Sequence, residues 1–213
     1  MVDTFLQKGL RKKLVEEIKF KGISDNKILE VIDKIPRHLF LDSALQSKAY
    51  EDIALPISAG QTISQPYTVA FQTQLLDIKK GDKILEIGTG SGYQTCVLIE
   101  LGARVYTIER KRDLYQKAMT FLPKIGYNPY FYYGDGYVGL PTYGPFDKIL
   151  ITAGAPFIPE ELKKQLKTGG ILVAPIGGSN VQIMKTLIKK SETEFEEIDF
   201  GHFIFVPLLK GKD

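Results

Sequence analysis

Cysteine and histidine are nearly absent from this chain of 213 residues, and their scarcity removes several kinds of chemistry at once. Cys96 stands alone, so no disulfide forms within the chain and no thiolate cluster is available to a metal. His38 and His202 are the only histidines. Neither has a ligand-type neighbour at helical spacing, which argues against a metal site and against a histidine-centred relay. No apolar run approaches the ~20 residues that cross a bilayer. The N-terminal stretch MVDTFLQKGLRKKLVEEIKF is basic but has no apolar core and no small-residue cleavage site, so a cytoplasmic location is expected. Charge of one sign is lacking too. The net charge is +3, and the cluster Lys8, Arg11, Lys12 and Lys13 is followed at once by Glu16 and Glu17. That mixture reads as a solvated helix face, and no nucleic-acid partner is expected.

What is present is an ordinary globular composition, 44% hydrophobic and 25% charged. The length suits one compact domain over 1–213, with residues 1–80 as a helical extension and 81–213 as a ligand-binding sheet. Phe5, Leu6, Leu10, Leu14 and Ile18 recur at helical spacing over 3–20. A second helix is predicted from about Ser24 to Ile35, stopped by Pro36. Residues 41–65 read as irregular. Ser64, two residues before Pro66, reads as the cap of a helix carrying Val69, Ala70, Leu75 and Leu76.

From Gly81 strands and helices alternate. Strands are predicted at 82–88, 103–109, 129–133, 146–152 and 170–176, with helices to about Leu101, to about Ile125 and from Pro159. This order implies an α/β fold with a doubly wound, mostly parallel sheet. Segments 181–190 and 195–208 have no helix between them and predict a closing antiparallel hairpin.

The strongest local signal is EIGTGSGYQT, in which Glu86, Gly88, Gly90 and Gly92 follow a strand directly. Glycines there permit positive φ and close approach of a ligand to the backbone. In an open parallel sheet this turn lies at the carboxyl edge, where ligands bind. Tyr93 stands where a dinucleotide fingerprint has its last small residue, and no G-K-[ST] follows for a triphosphate. Glu86 suits a cationic ligand better than a pyrophosphate. Glu109 ends the second strand, where a carboxylate accepts from ribose hydroxyls, in dehydrogenases as in other nucleoside binders. Asp135 follows the third strand, within reach of an adenine amino group. Either acid also reads as a plain strand-end or turn residue.

Together with PRHLF (36–40), AYEDIALPI (49–57), GQTISQPYTVA (60–70), FDKILITAGAP (146–156), LKKQLKTGGILVAPIG (162–177) and FVPL (205–208), these residues resemble the protein-L-isoaspartate O-methyltransferase family from about residue 30 onward. TISQP is its most specific element. The resemblance implies a Rossmann-like methyltransferase fold and S-adenosylmethionine as cofactor, released as S-adenosylhomocysteine. It implies isoaspartyl peptides and proteins as substrates, and a monomer. Ser64 falls on the family's active-site serine, with Thr62 and Ile63 beside the substrate. Gly88, Gly90 and Gly92 fall on the methionine contacts, Glu109 on the ribose contact, and Asp135 with Gly136 on the adenine contacts. Gln182 matches a cofactor contact of some members, and Ala155-Pro156 a segment shaping the peptide channel. Thr68 departs from the histidine frequent in animal members. Three other classes share parts of the pattern: a small-molecule or RNA methyltransferase, an NAD-dependent dehydrogenase and a non-catalytic nucleotide-binding protein.

Overall fold

The computed structural model describes residues 3–213. Helix α1 (Phe5–Phe20) opens with a reciprocal cap between Thr4 and Gln7 and buries Leu14 and Ile18. Helix α2 (Asn26–Lys34) starts where the Asp25 side chain accepts from the Lys27 N–H, and the extended Ile35 before Pro36 ends it. The next thirty residues hold only short 3-10 turns and a two-residue ribbon, in which β1 (Leu55–Pro56) lies antiparallel to β2 (Thr62–Ile63). Helix α3 (Pro66–Leu76) follows.

The main sheet comprises β3 (Lys83–Ile87), β4 (Arg104–Glu109), β5 (Tyr130–Tyr133), β6 (Phe146–Ile151), β7 (Leu166–Gly177), β8 (Gln182–Lys189) and β9 (Phe195–Phe203). Its spatial order is β5-β4-β3-β6-β7-β8-β9. The first five of these are parallel, and β8 and β9 complete the sheet antiparallel. Helices α4 (Tyr93–Glu100), α5 (Arg112–Phe121) and α6 (Glu160–Lys164) make the crossovers. The chain runs outward from β3 to β5 and then returns to β6 on β3's other side, so the switch point lies at β3, where the glycine turn begins.

Apolar packing joins the two halves of the chain. Leu14, Ile18, Ile32, Leu55 and Ile63 belong to one buried cluster with Tyr93, Cys96, Val97 and Leu122. The early helices therefore cover α4. A second cluster, with Leu85, Ile149, Leu172 and α6's Leu162, fills the opposite face.

Three boundaries differ from expectation. The last strand stops at Phe203 instead of running to residue 208. Beyond it the Phe205 N–H donates to Gln182 Oε1 at 2.8 Å, and Pro207 bridges to Gly154 at the carboxyl edge. The helix after Pro159 has five residues, and β7 begins at Leu166, ahead of the expected 170. Ser64 does not cap α3. Gln65 holds the cap position, but its side chain makes no capping bond, and Asp52 Oδ1 accepts the Tyr67 N–H at 2.7 Å from fifteen residues upstream. Among the described residues no helix is long and apolar enough to cross a membrane.

Candidate active site

The floor of the site is the turn between β3 and α4. Gly88 has φ +99°, and a Cβ there would stand 2.5 Å from Thr152 Oγ1. That hydroxyl donates to the carbonyls of Ile87 and Gly88, both at 2.8 Å, and so ties the end of β6 to the turn. Gly92 has φ +84° and opens α4 with its Cα face against Leu122, leaving no room for a side chain. Both positions are closed to other residues by backbone conformation and by contact.

Glu109 ends β4 and is 5% exposed. Its Oε2 accepts the Gly90 N–H at 2.9 Å and its Oε1 the Lys111 N–H at 2.8 Å. Each oxygen retains a lone pair for a hydroxyl. Glu86 lies beneath the turn, fully buried, where Thr95 Oγ1 donates to Oε2 at 2.5 Å. Burial raises its pKa to about 7, against the opposing hydrogen bond from Thr95.

A cleft rises from this floor. Of the expected residues it brings together Thr62, Ile63 and Ser64 on one side with Gly88, Gly90 and Glu109 on the other, and Gly136 also lines it. Others stand behind the surface. Gly92 supports α4, and Glu86 sits below the floor. Asp135 is beside the cleft, with Oδ1 accepting the Tyr137 N–H at 2.8 Å and Oδ2 the Gly211 N–H at 2.7 Å. Gln182 is 2% exposed and held by Phe205 and Gly178. Ala155 is buried, and the exposed Pro156 lines a separate depression with Lys185 and Glu197.

The sequence reading missed part of the wall. Thr89, Thr152 and Ala153 line the cleft from the ends of β3 and β6, and Val206 to Leu209 line it from the chain after β9. Thr152 and Ala153 follow a predicted parallel strand, so their place at the carboxyl edge was a usable signal. For Val206 to Leu208 the signal was the FVPL match to the family, since read locally the stretch to 208 looks like strand.

The other wall is irregular chain held by buried charges. Arg37 is fully buried, and its guanidinium donates to the carbonyls of Ala49 at 2.7 Å, Ile53 at 3.1 Å and Ser64 at 3.1 Å. Asp52 Oδ2 accepts from Gln65 Nε2 at 2.9 Å and from Lys21 Nζ at 2.6 Å. Residues on both flanks of Ser64 are thus anchored. The Ser64 hydroxyl itself makes no hydrogen bond among the described residues. A second groove opens on the far side, walled by Tyr67, Phe71 and Phe203. Thr62, Ser64, Thr152 and Val206 line both the cleft and the groove, so the two spaces adjoin at these residues.

The cleft offers hydroxyls, backbone and side-chain amides, the Glu109 carboxylate and the Arg110 guanidinium between apolar walls. The hydroxyls and the carboxylate suit the ribose of a nucleoside. A family model described as Protein-L-isoaspartate(D-aspartate) O-methyltransferase matches residues 9–213. A Christiangramia forsetii protein-L-isoaspartate O-methyltransferase is 58% identical over 214 residues, covering all of both chains. A solved protein-L-isoaspartate O-methyltransferase superposes with a TM-score of 0.84 at 32% identity, covering 92% of this chain, which spans 65% of that longer one. A Plasmodium falciparum structure described by the same activity, in complex with S-adenosyl-L-homocysteine, gives 0.76 at 26% identity, over 94% of this chain and 99% of its own. With its sheet, its glycine floor and its full-length relatives in agreement, this chain belongs to the protein-L-isoaspartate O-methyltransferase family of S-adenosylmethionine-dependent enzymes.

Proposed function

We propose that Ser64 orients the free carboxylate of an L-isoaspartyl residue at the opening between the two clefts, and that the glycine-floored cleft holds the methyl donor. The reaction of the family repairs damaged proteins: the methyl ester closes to a succinimide with loss of methanol, and the succinimide reopens partly as aspartate. The observation that carries the assignment is the shared lining. Ser64, with its uncommitted hydroxyl, is among four residues that line both cavities.

S-adenosylmethionine, when bound, supplies a methyl group on a positively charged sulfur. The substrate carboxylate, with a reference pKa of about 4, is already ionised near neutral pH and requires no general base. One carboxylate oxygen bonds to the methyl carbon as the carbon–sulfur bond breaks, its electron pair passing to sulfur. The chain's task is alignment, which contributes up to ~7–11 kcal/mol in well-oriented model reactions. The Ser64 hydroxyl donates to one carboxylate oxygen and leaves the other aimed through the opening. Thr62 and Ile63 close over it. Arg37, behind the Ser64 carbonyl, adds positive potential that favours an incoming anion.

Glu109 takes the ribose hydroxyls on its remaining lone pairs, and Gly88 and Gly90 let the ligand's methionine end approach the floor. Gly136 and Asp135 bound the adenine end. Gly92, Glu86, Gln182 and the Ala155-Pro156 segment act by holding the backbone that lines the cleft. Residues 1–80 and 81–213 work as one domain, supported by the cluster that joins Leu14 and Ile63 to Tyr93 and Val97. The enzyme acts as a cytoplasmic monomer on isoaspartyl proteins, with no nucleic-acid partner, in keeping with its mild net charge.

The test is transfer of a labelled methyl group to paired isoaspartyl and aspartyl peptides. Base-labile label is expected on the isoaspartyl peptide alone. Ser64→Ala should lower kcat/KM by about 10- to 100-fold, the worth of one hydrogen bond to a charged group. Its affinity for S-adenosylhomocysteine should stay within about twofold, since the hydroxyl faces the carboxylate. An unchanged rate in Ser64→Ala would refute the assigned role.

A further inference from the structure

The groove beyond Ser64 has a chemical character of its own. On α3, Tyr67 and Phe71 are one turn apart and therefore share a face. Their rings stack at 5.7 Å, and Phe203 from the end of β9 stacks on Tyr67 at 6.5 Å and on Phe71 at 5.4 Å. Three aromatic rings thus form one wall, and none of them is fully covered. Ile204 stands next to them on the groove and is 78% exposed, which extends their apolar surface.

The polar groups near the Ser64 end of the groove are already engaged. Lys21 is shared between Asp52 at 2.6 Å and Glu17 at 2.7 Å, and Gln65 donates to the same Asp52. What the groove offers a ligand at its aromatic end is apolar surface. It offers this beside the opening at which the substrate carboxylate is placed, since Thr62 and Ser64 line both spaces.

We infer that the aromatic wall and Ile204 form a subsite for a large apolar side chain of the substrate, within two residues of the isoaspartyl position. The inference rests on the assignment of Ser64 to the substrate carboxylate. An extended peptide leaving Ser64 along the groove carries alternate side chains towards the same wall, at about 6–7 Å per two residues. A phenylalanine or leucine at the matching position buries its surface on the three rings. An aspartate there loses water without gaining apolar contact; of the groove's basic side chains, Lys21 is already paired with carboxylates, and His202 lies beside Phe203 and Ile204. The subsite therefore sorts damaged sites by their neighbours, favouring isoaspartate beside apolar residues.

The experiment uses the full chain and a set of isoaspartyl peptides built on alanine, with one phenylalanine placed in turn at each of the two positions on either side. One position should raise kcat/KM about 5- to 10-fold over the alanine peptide, the range of an aromatic contact with its buried area. The gain should appear in KM and leave kcat nearly constant, because the contact is made equally before and during transfer. Aspartate at that position should fall below alanine. Ile204→Ser and Tyr67→Ala, each checked for cooperative melting, should bring the phenylalanine advantage close to one. Phenylalanine peptides all within twofold of the alanine peptide, or an advantage that survives in both variants, would overturn the subsite. Failure to methylate any isoaspartyl peptide would instead strike the reading of Ser64 on which the subsite rests.

Discussion

The turn Gly88–Ser91 and the segment Thr62–Ser64 line the same cleft, yet they are held by different means. The turn is stiffened by its neighbours in sequence and by the sheet: Gly88 donates to the Ile108 carbonyl at 2.9 Å, and Thr152 clasps it from the adjacent strand. The segment has no such frame. Two paired residues of β2 are its only regular structure, and its shape depends on Arg37 and Asp52, two charged side chains withdrawn from water. The lesson is a division of labour. On the proposed reading, the turn assigned to a cofactor common to many enzymes is supplied by a repeating unit, whereas the surface assigned to the substrate is irregular chain held by long-range polar bonds.

The sharpest way to break the comparison is to remove the buried cation. Arg37→Met leaves three carbonyls without their donor and should cost on the order of 3–5 kcal/mol in urea denaturation. In whatever fraction folds, peptide methylation should fall much further than binding of S-adenosylhomocysteine. Equal loss of both would show that the two walls are not separately supported.

Gly88→Ala tests the other wall. The new methyl group meets Thr152 Oγ1 and a φ of +99°, so a loss of about 1–3 kcal/mol is expected, with cofactor affinity down more than the peptide preference. Calorimetric titration with S-adenosylhomocysteine gives the answer directly.

Glu86 gives the third and most graded test. Its pKa of about 7 in the fold lies above the ordinary 4.5, because burial disfavours the carboxylate. The folded state therefore holds its proton more tightly than the unfolded one. Stability from this group is greatest below about pH 4.5, and it is lost as pH rises through 7, by on the order of 3 kcal/mol in all. Denaturation of wild type and Glu86→Gln at pH 5 and pH 8 should show the wild type weakening relative to the variant at the higher pH. A constant difference would mean that Glu86 ionises freely.

The same division explains what could be read from the sequence. Strands β3 and β4 were legible because their apolar runs end at a glycine and an acidic residue on the carboxyl edge, and with them came the turn and Glu109; β6 was legible from its apolar run alone. The hairpin of β8 and β9 was legible from two long strand-like segments with no helix between them. The end of β9 was not, because the bond from Phe205 to Gln182 that diverts the chain joins residues 23 apart in sequence. Nor was the cap of α3. Ser64 has the right chemistry and nearly the right place, but Asp52 occupies the role from fifteen residues away. Arg37 looked like an ordinary residue of a short motif, since nothing local announces that its guanidinium will be buried among three carbonyls. Asp135 was recognisable as an acid after a strand, and Gln182 only from the family resemblance. Their side chains are turned to the backbone of Gly211 and Phe205, contacts that only the closed chain creates.

The stretch after β9 has a consequence for how the enzyme comes into being. It lines the cleft with Val206 and Leu208 and then reaches Arg110, whose guanidinium donates to the Gly211 carbonyl across 101 residues of sequence. A chain emerging from the ribosome at about 5–20 residues per second completes the glycine turn several seconds before this wall exists. During that interval the floor of the cleft faces solvent on one side. The cleft assigned to the methyl donor is thus completed late in synthesis, with contacts of long sequence separation that also form slowly.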